Sequence, residues 1–526
     1  MALTKAHNRM IKGGLITPLD FNAAGDGSTD DTAAIQAALN SSYAVIDGAG
    51  KTYRCDTQIT IGSNKVLQNI TLDFSNGADD LEAFIAAGSF NSPVSLSANA
   101  AFNTTTISVS SADGLAAGDL IYIADTQIWA DSTPQGEMQV IKSISGTTLT
   151  LTAKLVGSYA TASAANIRKV NTAENIRLEN VKLTGKGAEQ TGLYFDKARN
   201  TTLRSCVFDN FGTRLTRFTK SYAVSISNCA FSNADRSGYG YGVAISEGTH
   251  HVQVTNCTFD LMRHAVSQGG SDGVNRFVSV TNCTGTGIKD SFLDTHAESD
   301  FVNYSGNVAT FIEDNASDDA ITLQGANAIV ADNMFYGTVR HGVLAQVQVN
   351  DGMTQDSPSI SITGNQMLNG GTGSGVTLST SSSGCVDLKN VVISNNAING
   401  FAARAVSISA DNGNIEGLII TGNTASMASN GVLLTSTSPN TISGVVISNN
   451  YLAMDTDAAE SIYLQPDASA GISNVVINGN MIKNGTNGIR LNTSDVVMVT
   501  SNQSSGLSGA TVNSGSATNV TAANNV

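Results

Sequence analysis

The 526-residue sequence is poor in tryptophan, proline and charge. It contains one Trp and six Pro against 51 Gly, and 13% of its residues are charged. Segments that favour a continuous helix are scarce, whereas short runs containing Val and Ile, separated by turn-forming residues, recur throughout. This composition predicts many short strands joined by tight turns, with hydroxyl and amide side chains covering most of the surface.

The sequence also lacks the features that direct a chain to a membrane or to nucleic acid. No uninterrupted apolar stretch approaches the length that spans a bilayer, and the first residues, Met1 to His7, lack the apolar core of a signal peptide. A net charge of −15 disfavours a broad basic surface for nucleic acid or a membrane. An acidic polysaccharide is compatible with this charge, because a few Arg and Lys can make one groove positive. We therefore expect a soluble protein that is made without a leader.

The six cysteines do not form a disulfide or zinc-binding pattern. Four of them follow a Ser or an Asn at a repeating position, in the pairs Ser205-Cys206, Asn228-Cys229, Asn256-Cys257 and Asn282-Cys283. This placement predicts a row of small, buried thiols stacked on one another.

A landmark Asn recurs from Asn175 onward at intervals of roughly 22 to 32 residues, the length of one solenoid turn. Alternating strands such as Val445-Val446-Ile447-Ser448 precede many landmarks. Asn tolerates the left-handed backbone of a corner, and stacked Asn amides can hydrogen-bond along a column. The later landmarks are Asn228, Asn256, Asn282, Asn307, Asn333, Asn365, Asn396, Asn423, Asn450, Asn480, Asn502 and Asn525. The pattern predicts an all-β chain, a right-handed parallel β-helix over residues 41–526.

Two segments depart from this repeat. Residues 1–40 are predicted to form a lead-in and a short capping helix. Residues from about 94 to 155 contain closely spaced runs such as Asp119-Leu120-Ile121-Tyr122-Ile123 and Thr148-Leu149-Thr150-Leu151, which predict a small antiparallel β insertion. Trp129 lies in a loop of this insertion, where it could stack on a sugar ring or anchor the insertion.

The segment Leu19-Asp20-Phe21-Asn22-Ala23-Ala24-Gly25-Asp26-Gly27-Ser28-Thr29-Asp30-Asp31 resembles the opening motif of the pectate-lyase-like superfamily of right-handed parallel β-helices. Together with the preceding Asn8-Arg9-Met10-Ile11-Lys12-Gly13, it is similar to phage tailspike and tail-fibre depolymerases. The resemblance implies a homotrimer in the virion tail, attached through its N-terminal end directly or through another tail protein. It also implies a substrate among bacterial surface polysaccharides. The open sheet edge of the last repeat adds to the expectation of a trimer.

The candidate site consists of polar residues at similar distances after successive landmarks. Five of the six His fall between residues 250 and 341. Because equivalent positions stack on neighbouring turns about 4.8 Å apart, we expect these residues to share a groove. They are Arg236, Tyr239, Tyr241, Arg263, His264, Lys289, Asp290, Asp294, His296, Arg340 and His341.

Two reactions fit these residues, and elimination at a uronic acid is favoured because of the His concentration. In β-elimination a base removes the C5 proton, an acid protonates the leaving oxygen, and cations neutralise the carboxylate. His264 or His296 would be the base and Tyr241 the acid. The carboxylate would be neutralised by Arg263, Lys289 or Arg340. Asp294-Thr295-His296 resembles the Asp-Pro-His motif of alginate epimerases, in which a Tyr stands three residues before the Asp. Here that position is Ser291, so Tyr241 would have to substitute.

The alternatives are a glycoside hydrolase and a non-catalytic carbohydrate-binding fibre. A hydrolase needs two carboxylates, which Asp294 could form with Asp318, Asp319 or Glu247. Asp318 would otherwise contact substrate. No cofactor is expected, although Asp318 and Asp319 after Glu313 and Asp314 could also bind calcium.

Overall fold

The structure is a computed structural model, and it describes residues 15–312, 319–337, 340–353, 358–381, 384–427, 429–454, 460–467, 471–492, 497–515, 517 and 520–526. The chain divides into two compact units. Unit 1 comprises Met1–Thr126 and Gly136–Thr286, and unit 2 comprises Gln127–Gln135 and Gly287–Val526. No described helix is long and apolar enough to cross a membrane.

The predicted N-terminal helix is confirmed and runs over Thr32–Asn40. Its apolar face is formed by Ile35, Ala38 and Leu39, which are buried, and it contacts the first strands of unit 1. Two short 3-10 helices cover Pro18–Phe21 and Thr161–Ser163. The rest of the described regular structure is β, so the prediction of an all-β parallel solenoid is also confirmed.

In each unit, a turn of the solenoid contributes two consecutive strands to one parallel sheet, called sheet A of that unit, and one strand to a second parallel sheet, called sheet B. In unit 1 the strands of sheet A are Asp26–Asp30, Val45–Arg54, Val66–Asp73, Ala173–Glu174, Arg177–Gly187, Ala198–Arg204, Val207–Phe211, Tyr222–Ser227, Ala230–Ala234, His250–Thr255, Thr258–Met262 and Asn275–Thr281. Those of sheet B are Ile59–Thr60, Glu82–Ala87, Thr191–Asp196, Arg214–Thr219, Tyr241–Ser246 and His264–Gly269.

Unit 2 repeats this arrangement. Its sheet A consists of Ser299–Ser305, Val308–Phe311, Ala328–Ala331, Met334–Tyr336, Ile360–Thr363, Gln366–Leu368, Leu388–Ser394, Ala397–Asn399, Ile415–Thr421, Thr424–Met427, Ile442–Ser448, Tyr451–Met454, Ile472–Asn478, Met481–Lys483, Val497–Thr500, Gln503–Ser505 and Val520–Ala523. Its sheet B consists of Leu293–Thr295, Ile321–Leu323, Val343–Val347, Val376–Thr380, Arg404–Ala410, Asn430–Ser436, Glu460–Pro466, Asn487–Leu491 and Val512–Asn513. The strand Thr284–Ile288 contains the boundary between the units.

A seven-stranded sheet with antiparallel pairing interrupts the solenoid. Its strands are Ser89–Phe90, Val94–Ser95, Thr106–Ser108, Leu120–Ala130, Thr133–Ser145, Thr148–Leu151 and Asn166–Asn171. Its own core includes Ile107, Ile121, Ile141 and Leu149. A second small cluster, which includes Tyr122 and Met138, packs against Tyr222 of sheet A in unit 1.

The corners of the solenoid separate two properties that the sequence pattern assigned to one residue. The residue with the left-handed backbone and the residue whose side chain stacks along the column are two consecutive residues of the chain, not one residue. In unit 1, Asn256 has a φ of 53° and the following Cys257 is buried. In unit 2, Asp332 has a φ of 55° while the following Asn333 is buried and bonds along the column. Asn228, Asn256 and Asn282 are therefore the left-handed residues of their corners, whereas the landmarks from Asn307 onward are the stacked residues one position later. In those later corners the left-handed position is held by a Gly, an Asn or another small or polar residue, which tolerates that backbone.

Each unit thus has its own polar column. In unit 1, the Cys206 backbone N–H donates to Cys229 Sγ at 3.4 Å, and the predicted row of buried free thiols is confirmed. In unit 2, each buried Asn donates through Nδ2 to the Oδ1 of the Asn one turn later, at about 2.9–3.0 Å, from Asn307 to Asn525.

Candidate functional site

Tyr241 and His264 form the centre of a polar face on sheet B of unit 1. The two residues lie opposite each other on neighbouring strands, and their rings stack with centroids 5.5 Å apart at an interplanar angle of 13°. Arg263 Nη1 donates to the Tyr241 hydroxyl at 3.4 Å. His264 is only 3% exposed, whereas Tyr241 is partly exposed. The phenol is therefore the group presented to solvent, with the imidazole stacked against it.

Arg214 lies on the other side of Tyr241, in register on the preceding strand of the sheet. Its guanidinium carbon is 5.6 Å from the Tyr241 ring centroid and 5.5 Å from that of Tyr239. Burial, together with the nearby charge of Arg217, lowers the pKa of Arg214. Arg217 itself lies 5.0 Å over the ring of Tyr194. None of Arg214, Arg217 and Tyr194 was predicted as a site residue.

A fourth cation, Arg236, completes this surface. Its guanidinium carbon lies 4.9 Å over the Tyr239 ring, and Tyr239 is 39% exposed. Arg236 donates through Nη2 to Glu189 Oε1 at 2.5 Å and through Nη1 to Thr213 Oγ1 at 3.2 Å. We call the whole surface the arginine–tyrosine face; it consists of Tyr194, Arg214, Arg217, Arg236, Tyr239, Tyr241, Arg263 and His264.

The face combines two binding properties. Guanidinium groups bind carboxylates with paired, charge-assisted hydrogen bonds, and aromatic rings beside them provide flat apolar surface. Four guanidinium groups are concentrated here in a chain whose net charge is −15. The arrangement suits an anionic ligand with an apolar ring face.

The remaining predicted site residues lie in unit 2, in two groups. In the first, His296 Nε2 is 3.4 Å from Asp294 Oδ2; the His296 side chain is 57% exposed and that of Asp294 is 10% exposed. Asp294 is the cross-strand partner of Thr322, whose hydroxyl is 2.8 Å from that of Ser291. Lys289 is partly exposed in the segment that precedes the strand Leu293–Thr295.

The second group in unit 2 is built on a buried carboxylate. Asp319 accepts two hydrogen bonds from Arg340, from Nε at 2.9 Å and from Nη2 at 2.5 Å, and one from the His341 backbone N–H at 3.1 Å. His341 Nδ1 accepts the backbone N–H of Ser374 at 2.9 Å, so its other ring nitrogen carries the proton when the ring is neutral. Burial lowers the pKa of His341 and keeps it neutral near pH 7.

The calcium alternative has no counterpart in the part of the chain that the structure describes. Asp318, Glu313 and Asp314 lie outside the described residues. Among those that are described, no group of three or more His, Cys, Asp or Glu could hold a metal ion.

The prediction that Trp129 stacks on a sugar is wrong. The residue is 1% exposed, and its indole Nε1 donates to the backbone oxygen of Ala297 at 2.8 Å within unit 2. A ring without solvent access cannot contact a polysaccharide, so its role is the alternative one of anchoring. Glu247, named for the hydrolytic alternative, lies in unit 1 at a left-handed position with a φ of 59°, and its carboxylate accepts the backbone N–H of Ser271 at 3.2 Å.

Two family models match parts of the chain. The right-handed β-helix region matches residues 141–284, and the N-terminal extension of bacteriophage endosialidase matches residues 23–61. A search of curated proteins finds no significant match.

Several solved structures share the fold at low sequence identity. The tailspike gp61 of Pseudomonas phage phi297 is 15% identical with a TM-score of 0.62, over 94% of this chain and 80% of that one. The tailspike gp54 of Acinetobacter baumannii bacteriophage AP22, solved with an A. baumannii capsular saccharide, is 14% identical with a TM-score of 0.59, over 90% and 74%. The tailspike gp49 of Pseudomonas phage LKA1 is 19% identical with a TM-score of 0.55, over 87% and 84%. This chain therefore has the right-handed parallel β-helix fold.

Proposed function

We propose that this protein is a phage tailspike that binds an acidic bacterial surface polysaccharide and cleaves it by β-elimination. The observation that carries the proposal is the arginine–tyrosine face, which places four cations and three phenols on one surface of an acidic protein. The endosialidase-type match near the N-terminus and the fold shared with tailspikes support the assignment to a phage tail.

The proposed reaction centres on Tyr241. Arg214 and Arg263 flank its ring and neutralise the carboxylate of a uronic acid, which makes the C5 proton easier to remove. Tyr241 reacts as the phenolate, which the adjacent Arg263 and Arg214 guanidinium groups stabilise. Its oxygen takes the C5 proton and becomes the neutral phenol, the electron pair of the C5–H bond forms the C4–C5 double bond, and the bond from C4 to the bridging oxygen breaks. A proton from Tyr241 then completes the leaving hydroxyl. His264 stacks on the phenol and acts as a positioning residue for it.

The Asp294–His296 pair in unit 2 is a second candidate for acid–base work. His296 is well exposed, and the largely buried Asp294 carboxylate can orient its ring. The described carboxylates of unit 2 give less support to hydrolysis. Both oxygens of Asp319 are bonded to Arg340, which commits this carboxylate to an ion pair rather than to proton donation.

Two apolar columns on sheet A of unit 2 support the proposal that the protein is a homotrimer. One column follows the register Ile329, Ser361, Val392, Ile419, Val446, Val476 and Met498; Ile329, Ile419 and Met498 are 51%, 38% and 44% exposed. In the other, the apolar residues form two pairs, Val308 with Met334 and Tyr451 with Met481, each 37–50% exposed, and Gln366, Ala397 and Thr424 lie between the pairs. Exposed apolar residues stacked on neighbouring strands mark an interface, and we assign them to contacts with further copies of this chain. Attachment to the virion would use the N-terminal end.

The substrate assignment is tested by comparing acidic capsular polysaccharides with the same polymers after chemical reduction of their carboxyl groups. We expect wild-type protein to shorten at least one acidic polymer and to leave its reduced form intact. Arg214→Gln should weaken binding of the acidic form. Equal cleavage or equal binding of both forms would show that the acid group is not recognised and would overturn the proposal.

A further inference from the structure

Glu189 places a negative charge at the edge of the arginine–tyrosine face, where an acidic substrate would also bring one. Its Oε1 is 2.5 Å from Arg236 Nη2, and the side chains of Glu189 and Arg236 are 58% and 33% exposed. The pair is therefore open to exchange with a ligand. Arg236 also donates to Thr213 and lies over Tyr239, and neither of these contacts involves Glu189.

The neighbouring charges explain why an anion is stabilised at this point. Tyr239 has Arg214 and Arg236 within 5.5 and 4.9 Å of its ring, and burial together with repulsion from the like charge of Arg217 lowers the pKa of Arg214. A carboxylate beside Arg236 offsets this repulsion. A carboxylate on a sugar would offer Arg236 the same contact that Glu189 makes.

We propose that Glu189 is a specificity-determining residue that occupies the Arg236 carboxylate site until an acidic sugar displaces it. This inference rests on the proposed function. A neutral sugar cannot repay the loss of the Glu189–Arg236 ion pair, whereas a carboxylate replaces it with an equivalent pair. Glu189 thus competes with an acidic ligand for Arg236, whereas a neutral ligand, which gains no ion pair there, leaves Glu189 in place.

The test uses Glu189→Gln, which keeps the shape of the side chain and removes its charge. The matched control is Glu179→Gln, because Glu179 also forms surface ion pairs in unit 1, with Arg177 and Arg204, but its strand belongs to sheet A. Binding of alginate, polygalacturonate, hyaluronate and the neutral polymer dextran is titrated by calorimetry at low ionic strength, where surface charges are least screened.

We expect Glu189→Gln to bind the acidic polymer about twofold to fivefold more tightly, the range that one exposed ion pair provides. Glu179→Gln should bind like wild type, and Glu189→Gln combined with Arg236→Gln should bind no more tightly than Arg236→Gln alone. If wild type binds an acidic polymer and Glu189→Gln binds it equally or more weakly, this inference fails and the proposed function stands. If wild type binds dextran as well as every acidic polymer, the proposed function fails too.

Discussion

The hydroxyl of Tyr241 is the atom on which the proposed chemistry depends most. Arg263 donates to it at 3.4 Å, and it can donate to the backbone oxygen of Gly238 at 3.4 Å. A cation beside the oxygen stabilises the negative charge that builds there as the proton leaves. The same oxygen can then give the proton to the leaving oxygen, because the C5 proton and the leaving oxygen are close together in the substrate.

Tyr241→Phe is therefore expected to lower kcat by about 10²–10⁴-fold, the usual cost of losing a general acid or base. The ring stack with His264 is kept, so thermal stability and polysaccharide binding should change little. The matched variant is Tyr194→Phe, whose ring lies under Arg217 on the same face and which should affect KM more than kcat. Full kcat in Tyr241→Phe would move the chemistry to the Asp294–His296 pair, which His296→Ala then tests.

Among the elements of the fold, the asparagine column of unit 2 shows how one side chain stabilises three turns. Asn423 accepts from the backbone and side chain of Asn396 and donates to Ile393 and Asn450. All of these groups are buried and cannot be satisfied by bulk water. Each buried polar group left without a partner costs about 1–3 kcal/mol.

Asn423→Ala should therefore lower the free energy of unfolding by about 3 kcal/mol. Asn399→Ala is the control, because Asn399 is an exposed residue of sheet A in the same unit and its loss should cost less than about 0.5 kcal/mol. Thermal unfolding followed by circular dichroism compares the two variants. Equal stability would show that the column is a consequence of the fold rather than a source of its stability.

The insertion is joined to the solenoid of unit 1 by a buried acid. Glu137 is 1% exposed and lies 3.7 Å from the buried Arg276 of sheet A. Burial raises the pKa of Glu137 to about 7, although the charge of Arg276 opposes the rise. The nearby His250 is also buried, and burial together with Arg276 lowers its pKa.

Because the pKa of Glu137 is raised on folding, its contribution to stability is complete below the unfolded pKa of about 4.3 and is lost as pH rises through about 7. The stability of wild type relative to Glu137→Gln should accordingly fall by about 3 kcal/mol across this window. His250 is present in both proteins, so the difference isolates Glu137. A stability difference that does not vary with pH would mean that Glu137 keeps an ordinary pKa.

The sequence predicts the elements of this fold better than it predicts the face on which the site lies. The repeat, the N-terminal helix and the stacked thiols follow from periodicity and residue type, and each is confirmed. Arg214 and Arg217 escaped prediction because strict alternation places residues three apart on opposite faces of a strand. Here the strand Arg214–Thr219 buries both Leu215 and Thr216, so both arginines are partly exposed. Counting residues from the Asn landmarks also combined two different registers, because some landmarks are the left-handed residue of a corner and others are the stacked residue after it. A single sequence does not reveal which of the two a given Asn is.

For the whole molecule, the described surfaces of the two units differ in character. Unit 1 concentrates arginine and tyrosine on sheet B, whereas unit 2 exposes apolar columns on sheet A. We therefore propose that unit 1 binds the substrate and that unit 2 mediates association between copies. Neither surface suits a broad interaction with nucleic acid, given a net charge of −15.

Association is tested by measuring mass in solution with light scattering. Wild type is expected at three times the chain mass of 54.2 kDa. Ile419→Lys, which puts a charge into an apolar column, should shift the mass toward that of one chain, while Ser407→Lys on sheet B of the same unit should leave the trimer intact. A wild-type protein that stays monomeric at micromolar concentration would contradict the trimer.

The central claim, that cleavage is an elimination, is tested most directly by digesting an acidic polysaccharide in water enriched in the heavy isotope of oxygen. Elimination breaks the bond between C4 and the bridging oxygen without adding water, so mass spectrometry should show unsaturated products that contain no solvent oxygen in the new ends. Hydrolysis adds one oxygen from water at every cleavage. Products that carry the heavy isotope and lack the double bond would contradict the account and identify a glycoside hydrolase.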